Sequence, residues 1–466
     1  MSDTGQPQGP MPEAAVEALE DNRLRGEFVR EVLEALDADA DARVRALAET
    51  LHEADLADLI EQVGAGPREK LVRVLGSAVS AEVLSELDVA VRESLLESLA
   101  PHEVAEAVSQ LDTDDAVDIL EDLEEDRQQE VLQAIPLGDR VALEEALSYP
   151  EESAGRLMQR DLVAVPEFWT VGRTIDYLRD NQDLTSDFWE IFVVDPSYRP
   201  VGTVRLSHVL RSRRDTAVKD VMQVEQTLIP VDMDQEEVAF LFRQYHLISA
   251  AVVDGMGRLV GMITVDDVVD VINEEAEEDI LALAGVSDAD INEGVVTTTR
   301  TRFTWLFVNL LTAILASLVI GLFHATLEQM VALAVLMPIV ASMGGNAGTQ
   351  TMAVAVRALA MNQLTPANAW RILYKEVLVS GINGFLLATV MGLVAWLWFA
   401  NPLLGFVLGT AMVVNLITAG LSGMLIPLAL DRLDIDPAIA SSVFVTTMTD
   451  VVGFFAFLGL AALWLM

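Results

Sequence analysis

Asp450 is the single charged residue between Pro437 and Met466, set among apolar and hydroxyl side chains. An acid at the centre of an apolar helix costs roughly 2.5 to 3.5 kcal/mol on insertion scales, so it faces a bundle interior or a water-filled path and has a partner. No basic residue shares the run, so a cation from outside the chain is the partner suggested. Ser442, Thr446, Asp450 and Gly453 follow one another by four, four and three residues, which sets them on one helical stripe. Phe444, Val451, Phe455 and Leu458 occupy the other side. A second polar group, Gly344, Gly345, Asn346, Thr349 and Gln350, interrupts another uncharged run. Asn346 and Gln350 share a face and offer oxygens to water or to a cation's hydration shell. Two plainer readings stay open: the glycines could serve close helix packing, and Asp450 could bond to Asn346 or Gln350 within the chain. In a two-fold dimer, two copies of Asp450 would meet on the axis and match one divalent ion.

These residues need membrane helices to hold them, and the pattern supplies five. Phe303–Phe323 is uncharged for 21 residues, Gln329–Val356 for 28, and Val377–Leu430 for 54, enough for two spans joined near Ala400-Asn-Pro402. Pro437–Met466 is the fifth, and about 20 residues suffice to cross. Arg300, Arg302, Arg357, Arg371, Lys375 and Arg432 all fall in connections on one side. The positive-inside rule then puts the N-terminal half in the cytosol and Met466 outside.

The other half is very different. Of 29 Lys and Arg and 72 Asp and Glu, only five and six lie from residue 301 onward, leaving a balance of −42 in the first 300. Such acidity excludes nucleic acid, whose phosphates it repels; it suits divalent cations, and adaptation to salt would produce it too. Without Cys there is no disulfide or thiolate metal site. The first residues have neither the basic nor the apolar region of a signal peptide, so a cytosolic start is expected.

Residues 1–22, rich in Pro, Gly and acids, read as disordered. Residues 23–150 read as a solenoid of short amphipathic helices separated by breakers such as Gly64-Ala-Gly-Pro67. From 151 to 272 the texture becomes α/β and repeats: Leu162–Val165, a helix, Ile191–Asp195 and Gly202–Val209 match Leu228–Val231, a helix, Ala250–Asp254 and Gly261–Val268. This resembles a tandem pair of cystathionine-beta-synthase (CBS) domains, 151–214 and 215–272, modules that often bind adenosyl nucleotides between repeats. Asp266–Ile280 reads as a heavily acidic helix, with acids at 267, 270, 274, 275, 278 and 279 sharing faces, and 273–300 as the connecting plug helix. A solvated acidic helix is the plain alternative.

With these elements in place, Gly344-Gly-Asn-Ala-Gly-Thr-Gln350, Arg357-Ala-Leu-Ala360, Asp436-Pro-Ala438 and Thr446-Thr-Met-Thr-Asp-Val451 resemble the MgtE family of magnesium channels. The order of parts matches as well: helical N domain, CBS pair, plug helix, and a five-helix membrane domain over 301–466. The resemblance implies a homodimer in a cell membrane, with the Asp450 carboxylate holding a largely hydrated Mg2+ and Ser442, Thr446 and Gly453 beside it. It implies cytosolic Mg2+ sensing by Asp114, Asp118, Asp267, Asp270, Glu275, Glu278 and Asp279, and a nucleotide such as ATP at the CBS pair. Related sequences commonly carry Asn at the positions of Thr349 and Ser442; a hydroxyl keeps an acceptor but has shorter reach. His246 and Leu247 replace an acid and an aromatic, which weakens one sensing site and the ATP site.

Two other functions compete. An ion-coupled transporter or exchanger for Mg2+, Co2+ or Mn2+ would want a second membrane carboxylate, and the sequence has none. An intramembrane metalloprotease needs His-Glu-x-x-His in a span. The His-Glu pairs at 52 and 102 lie in the acidic half and lack the second His.

Overall fold

Apolar residues at helical spacing, broken every eight to twelve residues, give short helices that must stack to bury their faces. Ten of them run from Gly26–Asp37 to Leu137–Ala146 around one core that includes Leu36, Leu59, Ile60, Leu71, Leu96, Ile119 and Leu120. A recurring device closes their C-terminal ends, where carbonyls lack intrahelical donors. Buried Arg68 donates to the carbonyls of Ile60 and Glu61, and Arg127 to those of Leu96 and Leu99. Arg45 does the same for Val74 and Arg156 for Leu147. Each cation also meets the negative end of a helix dipole.

The computed structural model describes residues 19–20, 23–181, 184, 188–284, 286, 295–365, 367–433 and 435–465. The stretch expected to be disordered, 1–22, lies outside these residues except for β1 (Leu19–Glu20), which pairs with β2 (Arg23–Leu24). The chain divides into two units, Met1–Ile272 and Asn273–Met466.

Two matching sheets complete the first unit. In one, β3 (Ala164–Pro166) runs parallel to β4 (Glu190–Val194), which is antiparallel to β5 (Pro200–Arg205). In the other, β6 (Leu228–Pro230), β7 (Ser249–Val253) and β8 (Leu259–Thr264) repeat that order, with an irregularity at the equivalent place. The turns match as well: Asp195 accepts from the amides of Ser197 and Arg199, and Asp254 from those of Met256 and Arg258. Each repeat lends a bridge to the other, Gln159 with Met262 and Thr203 with Gln223. Gly202 and Gly261 permit these approaches, since a Cβ there would stand 2.6 Å from the Gln223 carbonyl oxygen and 2.8 Å from that of Gln159.

The acidic connecting helix spans Val265–Leu283. It starts one residue before the expected Asp266, where Asp267 accepts from the Thr264 amide at 3.1 Å and caps the helix directly off β8. Of the expected connecting segment 273–300, residues 287–294 lie outside the described residues, and Val295 opens the first membrane helix.

Among the described residues, five helices are long and apolar enough to cross a membrane: Val295–Gly321, Val331–Ala360, Ala369–Phe399, Pro402–Asp431 and Pro437–Trp464. The third and fourth are split as expected. Ala400 adopts a left-handed φ of 52°, and Asn401 caps the next helix by accepting from the amides of Leu403 and Leu404. The fourth helix is the most enclosed and packs on the second, third and fifth, while the first is nearly all exposed.

Candidate ion-binding sites

The second, fourth and fifth membrane helices touch through glycines. A Cβ at Gly348 would meet Val445 Cγ1 at 2.5 Å, and one at Gly423 would meet the Gly348 carbonyl oxygen at 2.8 Å. A Cβ at Gly345 would lie 3.6 Å from Thr446 Cγ2, in ordinary van der Waals contact. Packing is thus one use of the glycine-rich segment, and it leaves the polar side chains on the other face. Asn346, Thr349, Gln350 and Thr446 are exposed, while Gly345, Ser442 and Asp450 are half-buried. Gly344 and Gly453, expected beside the path, are instead buried against Asn415 of the fourth helix. Gly453 is three residues past Asp450, and that step turns it toward the fourth helix.

Thr349 donates to the Gly345 carbonyl at 3.0 Å, and Thr446 donates to the Ser442 carbonyl. With their protons directed back along the helix, both hydroxyls can only accept from outside, which suits the waters of a hydrated cation. Asp450 shares no hydrogen bond with Asn346 or Gln350 among the described residues. Also among the described residues, no three His, Asp or Glu side chains converge to hold a metal.

The end of the connecting helix packs on the same helices. Ala282 is buried with Met352 and Val356 of the second helix and with Ala438 and Val445 of the fifth. Asp279, just before it, has its carboxyl pKa raised by burial and by the charge of Asp436, the cap of the fifth helix. Glu275 is half-buried and Glu278 exposed.

The first unit holds a second acidic site. Asp114, 9% exposed, lies on the helix Thr113–Glu121 and faces the start of the connecting helix. The Gln159 side-chain amide stands between two acids, 3.2 Å from Asp114 Oδ2 and 3.3 Å from both Asp267 oxygens. Among the described residues, Asp114 Oδ1 is buried with no hydrogen-bond partner. Burial, then the charges of Asp267 and Asp115, raise the Asp114 pKa well above the carboxylate range. Asp115 is pushed up to about 6 by burial and then by Asp267. Burial and then Asp267 raise Asp270, and burial raises Asp267. Glu86, which sequence reasoning did not single out, is raised by burial and by Asp270. Asp118, expected in the same group, is instead paired with buried Arg92 at 2.7 Å, which also holds Asp122 at 2.5 Å. Those partners lie on separate helices, so no local pattern announced the pair.

Beside β5 a cleft of about 670 Å3 is lined by Thr203, Arg205, Ser207, His208, Arg211 and Gln223. Three basic side chains there, in so acidic a chain, suit a phosphate group. His246 is exposed and ends the helix Gln235–Tyr245 in a left-handed conformation, φ 54°.

The comparisons with known proteins fit this layout. The family model for the MgtE divalent cation transporter matches residues 337–460, that for the MgtE intracellular N domain matches 51–152, and the CBS domain matches 218–274. "Magnesium transporter MgtE" of Thermus thermophilus is 36% identical over 70% of this chain and 72% of its own length. The protein of the same description from Enterococcus faecalis is 32% identical over 69% and 71%. The chain belongs to the MgtE family. A crystal structure of the cytosolic domain of the Mg2+ channel MgtE in complex with ATP is also similar, at 32% identity and a TM-score of 0.48, over 52% of this chain and 99% of that one. The MgtE family model reaches from the glycine-rich segment to the fifth helix and so takes in Asn346 and Asp450 together.

Proposed function

We propose that this MgtE-family protein is a magnesium channel that works as a homodimer in the cell membrane, with its N and CBS domains cytoplasmic and its C-terminus outside. The observation that carries this reading is Asp450, half-buried on a stripe with Ser442 and Thr446 and accompanied by exposed Asn346, Thr349 and Gln350. Polar side chains of this kind do not face lipid. A second copy related by a two-fold axis would cover them and bring two carboxylates to one ion. Mg2+ suits such a site because it dehydrates reluctantly and is held through few carboxylates and several waters.

Cytosolic Mg2+ would close the gate. Asp114, Asp115, Asp267 and Asp270 crowd one another without a nearby cation, and a divalent ion relieves that repulsion. When the ion is scarce, the N domain would separate from the second CBS repeat and pull on the connecting helix. Its Ala282 end packs on both helices that would line the path. Glu275, Glu278 and Asp279 would add an ion at that end, while Asp118 would contribute only by leaving Arg92. The cleft at Arg205, His208 and Arg211 would take the phosphates of a nucleotide such as ATP.

The test is growth of a magnesium-auxotrophic bacterium at limiting Mg2+. The wild-type chain should rescue growth and Asp450→Ala should not; equal rescue by both would overturn the assignment.

A further inference from the structure

Asn415 lies mid-way along the fourth membrane helix, Pro402–Asp431, and is 0% exposed. Its Nδ2 donates to the Val340 carbonyl of the second helix at 2.9 Å. Helix geometry makes that carbonyl also the acceptor for the Gly344 amide four residues on. A Cβ at Gly344 would stand 2.1 Å from Asn415 Nδ2, and a Cβ at Gly453 of the fifth helix 2.6 Å from it. The amide therefore fills space that exists only because both neighbouring helices carry glycine.

Its chemistry is costly for a packing residue. Among the described residues, Asn415 Oδ1 is buried with no hydrogen-bond partner. A buried acceptor left unfilled is a net loss, whereas an apolar side chain would carry no polar atom to satisfy. The position of the wedge supplies a reason for a compact amide. Gly453 follows Asp450 by three residues, and Gly344 adjoins Gly345, where an added Cβ would come to 3.6 Å from Thr446 Cγ2. One side chain thus sets the approach of two helices at the level of the carboxylate.

We propose that Asn415 is a positioning residue for the ion path: it fixes the separation and rotation of the second and fifth helices, and hence the width at Asp450. This rests on the reading of Asp450 as the path carboxylate. Its opposing contacts are Gly344 and Gly453, so exchanging size between partners should restore function, and changing size at Asn415 alone should change selectivity.

The experiment measures Mg2+ and Ca2+ entry into liposomes containing the full-length protein, after gel filtration confirms assembly. Asn415→Ser should shift the Mg2+/Ca2+ flux ratio at least threefold while keeping assembly. Gly453→Ala should lower Mg2+ flux at least tenfold, and Gly453→Ala with Asn415→Ser should recover it to within about threefold of Asn415→Ser alone. Asn415→Leu, which is larger and loses the bond to Val340, should also shift the ratio, so it serves if the serine variant fails to assemble. An unchanged ratio in an assembled variant, assembly by neither variant, or no recovery in the double variant would overturn the proposal. A wild-type protein that passes no Mg2+ would instead overturn the reading of the path itself.

Discussion

Neutralising Asp114 should remove most of the need for Mg2+ in holding the N domain to the second CBS repeat. Gln159 Nε2 lies 3.2 Å from Asp114 Oδ2 and 3.3 Å from Asp267 Oδ1, so those oxygens stand at most about 6.5 Å apart, the two contacts laid end to end. At that distance and an effective dielectric of about 20, two full charges repel by about 2.5 kcal/mol, or about 70-fold in an equilibrium. Asp114→Asn has the same shape and removes that repulsion. The chain has no Cys, so Glu97→Cys and Glu237→Cys, both at exposed positions, would label one site on each domain cleanly. Energy transfer between the labels would then be followed as Mg2+ rises from EDTA to 20 mM. The wild type should begin open and close in the millimolar range, while Asp114→Asn should begin mostly closed. If the variant opens in EDTA as far as the wild type and closes at the same Mg2+ concentration, carboxylate repulsion does not drive the opening.

Two further outcomes follow from the same unit. Asp114, Asp115 and Asp267 have raised pKa values in the joined state, that of Asp115 about 6, so the joined state binds more protons than the separated one. Closure in EDTA should therefore be present at pH 5 and be lost as pH rises through about 6, and energy transfer that stays flat from pH 5 to 7.5 would contradict this. Arg92→Met should leave the 11%-exposed Asp122 side chain without its cation and destabilise the N domain by about 3 to 5 kcal/mol. A first unfolding transition within about 1 °C of wild type would refute that.

Much of the architecture was legible because it is periodic. Uncharged runs of 21 to 54 residues marked five spans, and the recurrence of Val-Val-Asp followed by a Gly-led strand marked the CBS repeat. Asp450 stood out because a lone charge in such a run is expensive. What escaped notice depends on pairs distant in sequence. Asn415 is one of several polar residues in a run of 54 uncharged ones, and only folding sets it between Gly344 and Gly453. Arg92 looked like any helix-surface cation until Asp118 and Asp122 met it. Gly453 looked like a path residue because spacing of three keeps it near the Asp450 face, and the tight packing of the fourth helix decides otherwise.

The most direct test of the account is the Mg2+ flux of full-length protein in liposomes, read by an entrapped Mg2+ dye with EDTA outside until the ion is added. Wild type should fill the vesicles, and Asp450→Asn, of equal size and without charge, should lower the rate at least tenfold while remaining assembled. Flux through Asp450→Asn equal to wild type would contradict the claim that this carboxylate binds the ion in transit.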